Sequence, residues 1–344
     1  MSLSDIHNPK AAAELLAQFR KRFKTKVCMA PYEDHEGPII SAHTISVEAM
    51  LRKIALDSHV YSIVPAKRIA RDTFPFKIKL SGLRDVSVFN GFCGKHDVEL
   101  FACIETEPFY FKRKQLFMLA YRNVARECYL KRKQAESMPT LEEFATMHGI
   151  DGGLELSEAG IMFQAASLRG AEEVEALKAT LDRHLISNSW NRLVTRAIIF
   201  PKTPSILATW AFQPFFDMDG YQLQDFEDLE AEMSQICMSL IPIENGGAII
   251  FSWLDTSNSA PNKFFQSVVK SPDLTSAAIH TVLDNTENFA ISPQWYENLS
   301  QEKKDYIFSR IINITQNVTY LNNSRPEKAA PFLDDWGKGE VADF

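Results

Sequence analysis

Hydrophobic positions alternate between helical and strand spacing along the chain. Residues 9–26, PKAAAELLAQFRKRFKTK, set apolar side chains three and four apart and end in cations, which predicts an amphipathic helix. Pro31, Gly37 and Pro38 follow, then Ile39, Ile40, Ile45 and Val47, the composition of a short strand or hairpin arm. Residues 46–56, SVEAMLRKIAL, return to helical spacing, with Ser46 as N-cap and Glu48 in the first turn. HVYSIV (59–64) and VSVFNGFC (86–93) read as strands joined by a basic connector, and KHDVELFACIE (95–105) as a short helix starting just after Cys93. The clearest helix covers 112–133. Leu116, Leu119, Ala120, Val124 and Cys128 share one face, and eight Lys and Arg residues make the remainder basic.

The polar segment 135–153, AESMPTLEEFATMHGIDGG, carries Pro and Gly and predicts a boundary between a module of residues 1–135 and a domain of residues 136–344. Residues 157–186 read as helical apart from Gly170. From 192 to 254 the period shortens. RLVTRAIIFP, SILATWAFQPFF, MSLIPIE and GAIIFSWL predict strands, and the paired glycines of ENGGAIIF predict a hairpin turn. DMDG at 217–220 is a turn rather than a calcium loop, because the remaining ligands of that motif are missing. Two helices are expected near 262–283 and 293–315, and the tail 322–344 is expected to be ordered only if it docks. The fold class is therefore α+β, a small N-terminal module followed by a domain of helices and an antiparallel sheet.

Charge changes this picture. The net charge is −7, but residues 1–135 hold 23 Lys and Arg against 14 Asp and Glu, and the rest holds 14 against 30. A basic third on an acidic remainder suggests a surface for nucleic acid, with Arg122 and Arg126 one helical turn apart as candidate phosphate contacts. The alternative is an ordinary solvated helix face. The acidic domain would then serve a protein partner or a homo-oligomer. No stretch approaches the roughly 20 apolar residues of a membrane span. The N-terminus has no signal-peptide core, and five scattered cysteines form no secreted disulfide framework. These features lead to the expectation of a cytoplasmic protein without membrane contact.

The candidate chemistry lies in two segments. VCMAPYEDHEGPIISAHTIS brings Cys28, His35 and His43; FNGFCGKHDVELF brings Asn90, Cys93, His96 and Asp97. Cys28-x6-His35 and Cys93-x2-His96 are two ligand pairs from separated segments, a usual way to close a four-coordinate structural Zn2+ site. His43 could replace His35 in that set, and His59 is a further candidate participant. The plainer alternative makes Cys28 core and His35 surface. Cys103 and Cys128 lack metal spacing and read as core.

These motifs, within about residues 25–130, resemble a family of uncharacterised bacterial proteins in which a Cys pair leads into an AHT strand and a GFC-x-x-HD knuckle follows. The chain departs from that pattern at His35, where the family carries a second Cys. The arrangement also resembles the HNH, or ββα-metal, nucleases, in which a zinc-stapled treble clef holds a hairpin whose strand ends in a catalytic His. That resemblance implies His43 as general base, Asn90 as the residue orienting it, and Asp97 as ligand to a catalytic Mg2+ or Mn2+.

The reading that follows is an HNH-like, metal-dependent nuclease joined to an α+β domain that senses, binds a partner or oligomerises. By analogy such a fusion suits a bacterial defence effector. The rivals are a non-catalytic zinc module that binds nucleic acid or protein, and a protein whose C-terminal domain does the work while zinc merely holds the N-terminus together.

Overall fold

The computed structural model describes residues 26–65, 76–137, 158–225, 228, 231–315 and 331–344. The helix expected at 9–26 and most of the join at 135–153 lie outside them. The described chain is mixed α and β. In order it runs β1 (Ile39–His43), β2 (His59–Pro65), β3 (Phe76–Gly82), β4 (Val88–Cys93), α1 (Gly94–Glu105), α2 (Arg113–Ser137) and α3 (Glu158–Ile186). Then follow β5 (Leu193–Phe200), β6 (Ile206–Phe212), β7 (Ile236–Ile243), β8 (Gly246–Leu254), α4 (Ala260–Val269) and α5 (Leu274–Asn285). The chain continues through β9 (Phe289–Ile291), α6 (Pro293–Glu297), α7 (Gln301–Thr315) and β10 (Glu340–Asp343).

The described residues form two antiparallel sheets. Among them β1 pairs with β4 alone, and eight strands form the second sheet in the order β10-β5-β8-β7-β6-β9-β2-β3. β2 and β3 come from the N-terminal third, so residues before 135 contribute one edge of the sheet whose other strands follow residue 190. One face packs on α2 and α3 through Leu207, Ala211, Ile241 and Ile250. The other packs on α4, α5 and α7 through Phe200, Trp210, Phe251 and Trp253. A sheet covered on both faces needs mostly apolar residues at successive positions, which is why β6 and β8 read as apolar runs broken only by Thr209 and Ser252. At the β7–β8 turn Gly246 has φ +132°, and a Cβ there would lie 2.0 Å from the Phe200 carbonyl oxygen, so only glycine fits.

Several local expectations need correction. Residues 46–56 form turns and one turn of 3-10 helix, Leu51–Lys53, rather than an α-helix. The segment must reverse at Asp57 and Ser58, both at positive φ, to start β2, which leaves too few residues for a stable α-helix. α3 passes straight through Gly170, where a side chain would press on Lys131 of α2. The helix expected at 262–283 is two, because Asp273 caps a new start by accepting the Ser276 N–H at 3.1 Å. The 293–315 helix is likewise split, at 298–300. α2 is not amphipathic over its first half. Residues 115–125 are all buried, between α1, α3 and the sheet. The tail docks: Trp336 is buried against Phe200, and β10 adds to β5.

Candidate metal centre

The centre is built where β4 becomes α1. Cys93 ends the strand and serves as the helix N-cap, so helical geometry carries His96 in the first turn back over it. The segment bearing Cys28 runs beside β4, with Val27 N–H donating to Asn90 O at 3.3 Å and Met29 N–H to Gly91 O at 2.7 Å. Met29 is held from behind as well. Its carbonyl accepts from Lys178 Nζ at 2.6 Å and Tyr121 Oη at 3.3 Å, and both donors also bond Asp182.

This frame brings Cys28, His35, Cys93 and His96 together. One ligand atom from each lies within 4.8 Å of the others, a group that could hold a metal ion. His96 Nδ1 is 3.5 Å from Cys28 Sγ, 3.3 Å from Cys93 Sγ and 3.3 Å from His35 Nδ1. Cys93 and His96 are buried, Cys28 is half-buried and His35 is exposed. Burial pushes the Cys93 thiol pKa up, but backbone donors from His96, Glu36 and Lys95 outweigh it and the net shift is downward, toward the thiolate a metal needs. Cys28 moves the other way, raised by burial. On the far side of His96, Nε2 meets Asp34 Oδ1 at 3.3 Å, the carboxylate partner that orients metal-bound histidines. Lys95 in turn holds Asp34.

The other predicted residues divide. His43 ends β1 opposite Val88. Its neighbour Thr44 is tied to the large sheet through Asn288, whose Nδ2 donates to Thr44 Oγ1 at 2.9 Å and Thr209 O at 2.7 Å. Asp97, Phe101 and Glu105 recur every fourth residue and share one face of α1. Arg122 of α2 covers that face. It is fully buried, lies 4.1 Å over the Phe101 ring and donates from Nη2 to Glu105 Oε1 at 2.8 Å. His43 Nε2, Asp97 Oδ1 and Arg122 Nε and Nη1 are all buried without hydrogen-bond partners.

His43 and Asp97 both feel the Arg122–Glu105 pair. Burial lowers the His43 pKa, opposed by the Leu83 and Arg84 carbonyls and by Glu105, and reinforced by Arg122. Burial raises Asp97 to about 6, against the pull of Arg122 and with the push of Glu105. Asn90 takes no part in this group: its partners are Ser41 Oγ at 3.4 Å and the Tyr129 hydroxyl. His59 is exposed at the start of β2, its Nδ1 bonding Asp57 O at 2.7 Å.

Arg122 and Arg126 are one turn apart, as expected, but neither presents its guanidinium to solvent. Arg122 is spent on Glu105, and Arg126 is largely buried with Glu127 3.6 Å away. Sequence reasoning missed Asp34, Glu105 and the inward role of Arg122. The i, i+4, i+8 spacing of Asp97, Phe101 and Glu105 was the available signal for the second. No protein-family model, curated protein or solved structure matches this chain. Among the described residues no helix is long and apolar enough to cross a membrane.

Proposed function

We propose that the N-terminal lobe is a zinc-stapled, treble-clef-like module carrying an HNH-type nuclease centre at His43 and Asp97. The metal assignment is supported by the donor set. Two thiols and two imidazoles suit Zn2+; His96 Nδ1 lies 3.3–3.5 Å from the other three ligand atoms, near the roughly 3.3–3.8 Å between ligands of a tetrahedral zinc, and all four atoms fall within 4.8 Å of one another. The observation that carries the catalytic reading is two buried, unpartnered acceptors, His43 Nε2 and Asp97 Oδ1, both acted on by the charges of Arg122 and Glu105. Buried polar atoms left without partners call for an explanation, and an absent ligand is one.

The roles follow from the groups. Burial keeps the His43 imidazole neutral near pH 7. Since Nε2 has no partner, the other ring nitrogen is the one that faces the Leu83 and Arg84 carbonyls, leaving the Nε2 lone pair to take a proton from water. Asp97 would hold a hard divalent ion, Mg2+ or Mn2+, which when bound supplies charge stabilisation to a phosphodiester. Arg122 and Glu105 act electrostatically on both groups. Cleavage of plasmid DNA and of RNA by wild type and His43→Ala, each at equal metal content, tests the proposal. Divalent-dependent cleavage that is lost in the variant is expected. Equal cleavage by both refutes it.

A second reading, a zinc module that binds without chemistry, is favoured by two observations. The cations of α2 are largely committed, Arg122 to Glu105, Arg132 to Glu175 and Lys133 to Glu136. His43 Nε2 and Asp97 Oδ1 are also closed to solvent. One zinc per chain without cleavage selects this reading.

A further inference from the structure

Among the described residues the eight-stranded sheet ends in two edge strands: β3 pairs only with β2, and β10 only with β5. Each offers a row of main-chain N–H and C=O groups on its outer side, the feature that templates pairing with another chain. The two edges differ in charge. β3 carries Lys77 and Lys79, both exposed, and among the described residues neither has an ion-pair partner. β10 carries Glu340, exposed and likewise unpaired among the described residues, and Asp343, which reaches Arg196 at 3.1 Å.

The faces also correspond. Lys77 and Lys79 stand opposite Val64 and Ser62, in line with Val60 on the α2 side of the sheet. Glu340, opposite Ile199, lies on that same side. On the other side Leu80 is opposite Tyr61 and Val341 opposite Ile198, and these two apolar side chains are 40% and 52% exposed. Every neighbouring pair of the eight strands is antiparallel, so β3 and β10 run in opposite directions. A second copy shifted across the strands, without being turned over, therefore sets its β3 antiparallel to the first copy's β10 with the faces in register.

From this geometry we infer that the chain associates head to tail with a second copy, β10 of one adding to β3 of the next. Glu340 then faces the Lys77–Lys79 pair on one side of the joined sheet, and Val341 lies beside Leu80 on the other. Pairing of like edges is opposed, because it sets Lys against Lys or Glu against Glu across adjacent strands. The contact is heterologous and leaves a free edge at each end, so assembly grows with concentration instead of stopping at a dimer, unless sheet twist closes a ring.

Sedimentation velocity of the full chain over a concentration series, at low and high salt, tests this. Species larger than the monomer should appear with concentration and shrink with salt. Lys77→Glu with Lys79→Glu, or Glu340→Lys alone, should each raise the dissociation constant by about tenfold. Mixing the two reversed chains should restore association, because the reversed β3 then meets the reversed β10. These positions are exposed, and circular dichroism confirms that each variant folds. A wild type that stays monomeric at low salt overturns the inference. So does assembly that neither reversal changes, or a mixture of folded variants that stays apart.

Discussion

Replacing Cys93 by alanine tests the metal centre at its most buried thiol. Cys93 ends β4 and caps α1, so the substitution removes one of the four candidate ligands without touching the strand's apolar packing through Phe89 and Phe92. What remains still holds the lobe in part. The Cys28 segment keeps its backbone bonds to Asn90 and Gly91, and the Met29 carbonyl keeps Lys178 and Tyr121. Each such bond contributes about 1 kcal/mol net. The lobe should therefore loosen, while the eight-stranded sheet and its helices stay folded.

The size of the effect follows from linkage. An ion present at a thousandfold excess over its dissociation constant stabilises the folded state by about 4 kcal/mol. For a chain of this size each kcal/mol moves the midpoint by only about 2–4 °C, so metal loss should lower it by roughly 10 °C. The assay is elemental analysis of the purified protein, followed by thermal unfolding with and without a chelator. Wild type should hold one metal per chain and respond to chelator. Cys93→Ala should hold none and not respond. Cys237→Ala, at a thiol buried in β7 and pushed up to about 12 by that burial, should retain the metal. A Cys93→Ala protein that keeps one metal per chain, or a wild type indifferent to chelator, would refute the centre.

Two further outcomes follow from the group behind His43. Arg122→Met should cost about 3 kcal/mol, since Glu105 keeps a side chain 31% exposed and can hydrate. Glu105→Ala should cost more, about 4–5 kcal/mol, because it strands the fully buried Arg122 guanidinium without its ion-pair partner. Equal midpoint shifts in urea for the two variants would contradict this assignment of burial. His43 titrates below its ordinary 6.5 because it is buried, so under pH 6.5 the unfolded chain takes a proton that the folded chain refuses. Its contribution is complete above pH 6.5 and is lost as the pH falls from there toward the folded-state value. His43→Gln should flatten that part of the stability profile, and an unchanged slope would place the imidazole in solvent.

The two ligand pairs and most strands were legible in the sequence because each rests on local information. Cys93-x2-His96 needs only a strand-to-helix corner, and β5 to β8 announce themselves as apolar runs bounded by turn residues. The sharing of one sheet by β2, β3 and strands beyond residue 190 was not legible. It rests on β2 meeting β9, some 230 residues downstream, through only two residue pairs, Tyr61 with Ile291 and Ser62 with Ala290. No pattern within β2 specifies that partner. The helix expected at 46–56 failed for the reverse reason: its local spacing was right, but the turn at Asp57 and Ser58 left it no length.

The charge asymmetry shows where composition misleads. A basic third beside an acidic remainder suggested an external polyanion, yet the basic helix α2 lies against α3, whose carboxylates answer it. Arg132 reaches Glu175 at 2.6 Å, and Tyr121 donates to Asp182 at 2.8 Å. Part of the excess of one half is thus met by the other half of the same chain. Counting cations per segment cannot separate these cases, because pairing is decided by which helices pack together. Any nucleic-acid surface must then be sought away from the buried face of α2, among cations that no carboxylate of the described residues holds. Lys77 and Lys79 on the β3 edge belong to that set. An acidic strand and a nucleic-acid backbone would therefore compete for the same two lysines, and reversing their charge should weaken both kinds of contact together.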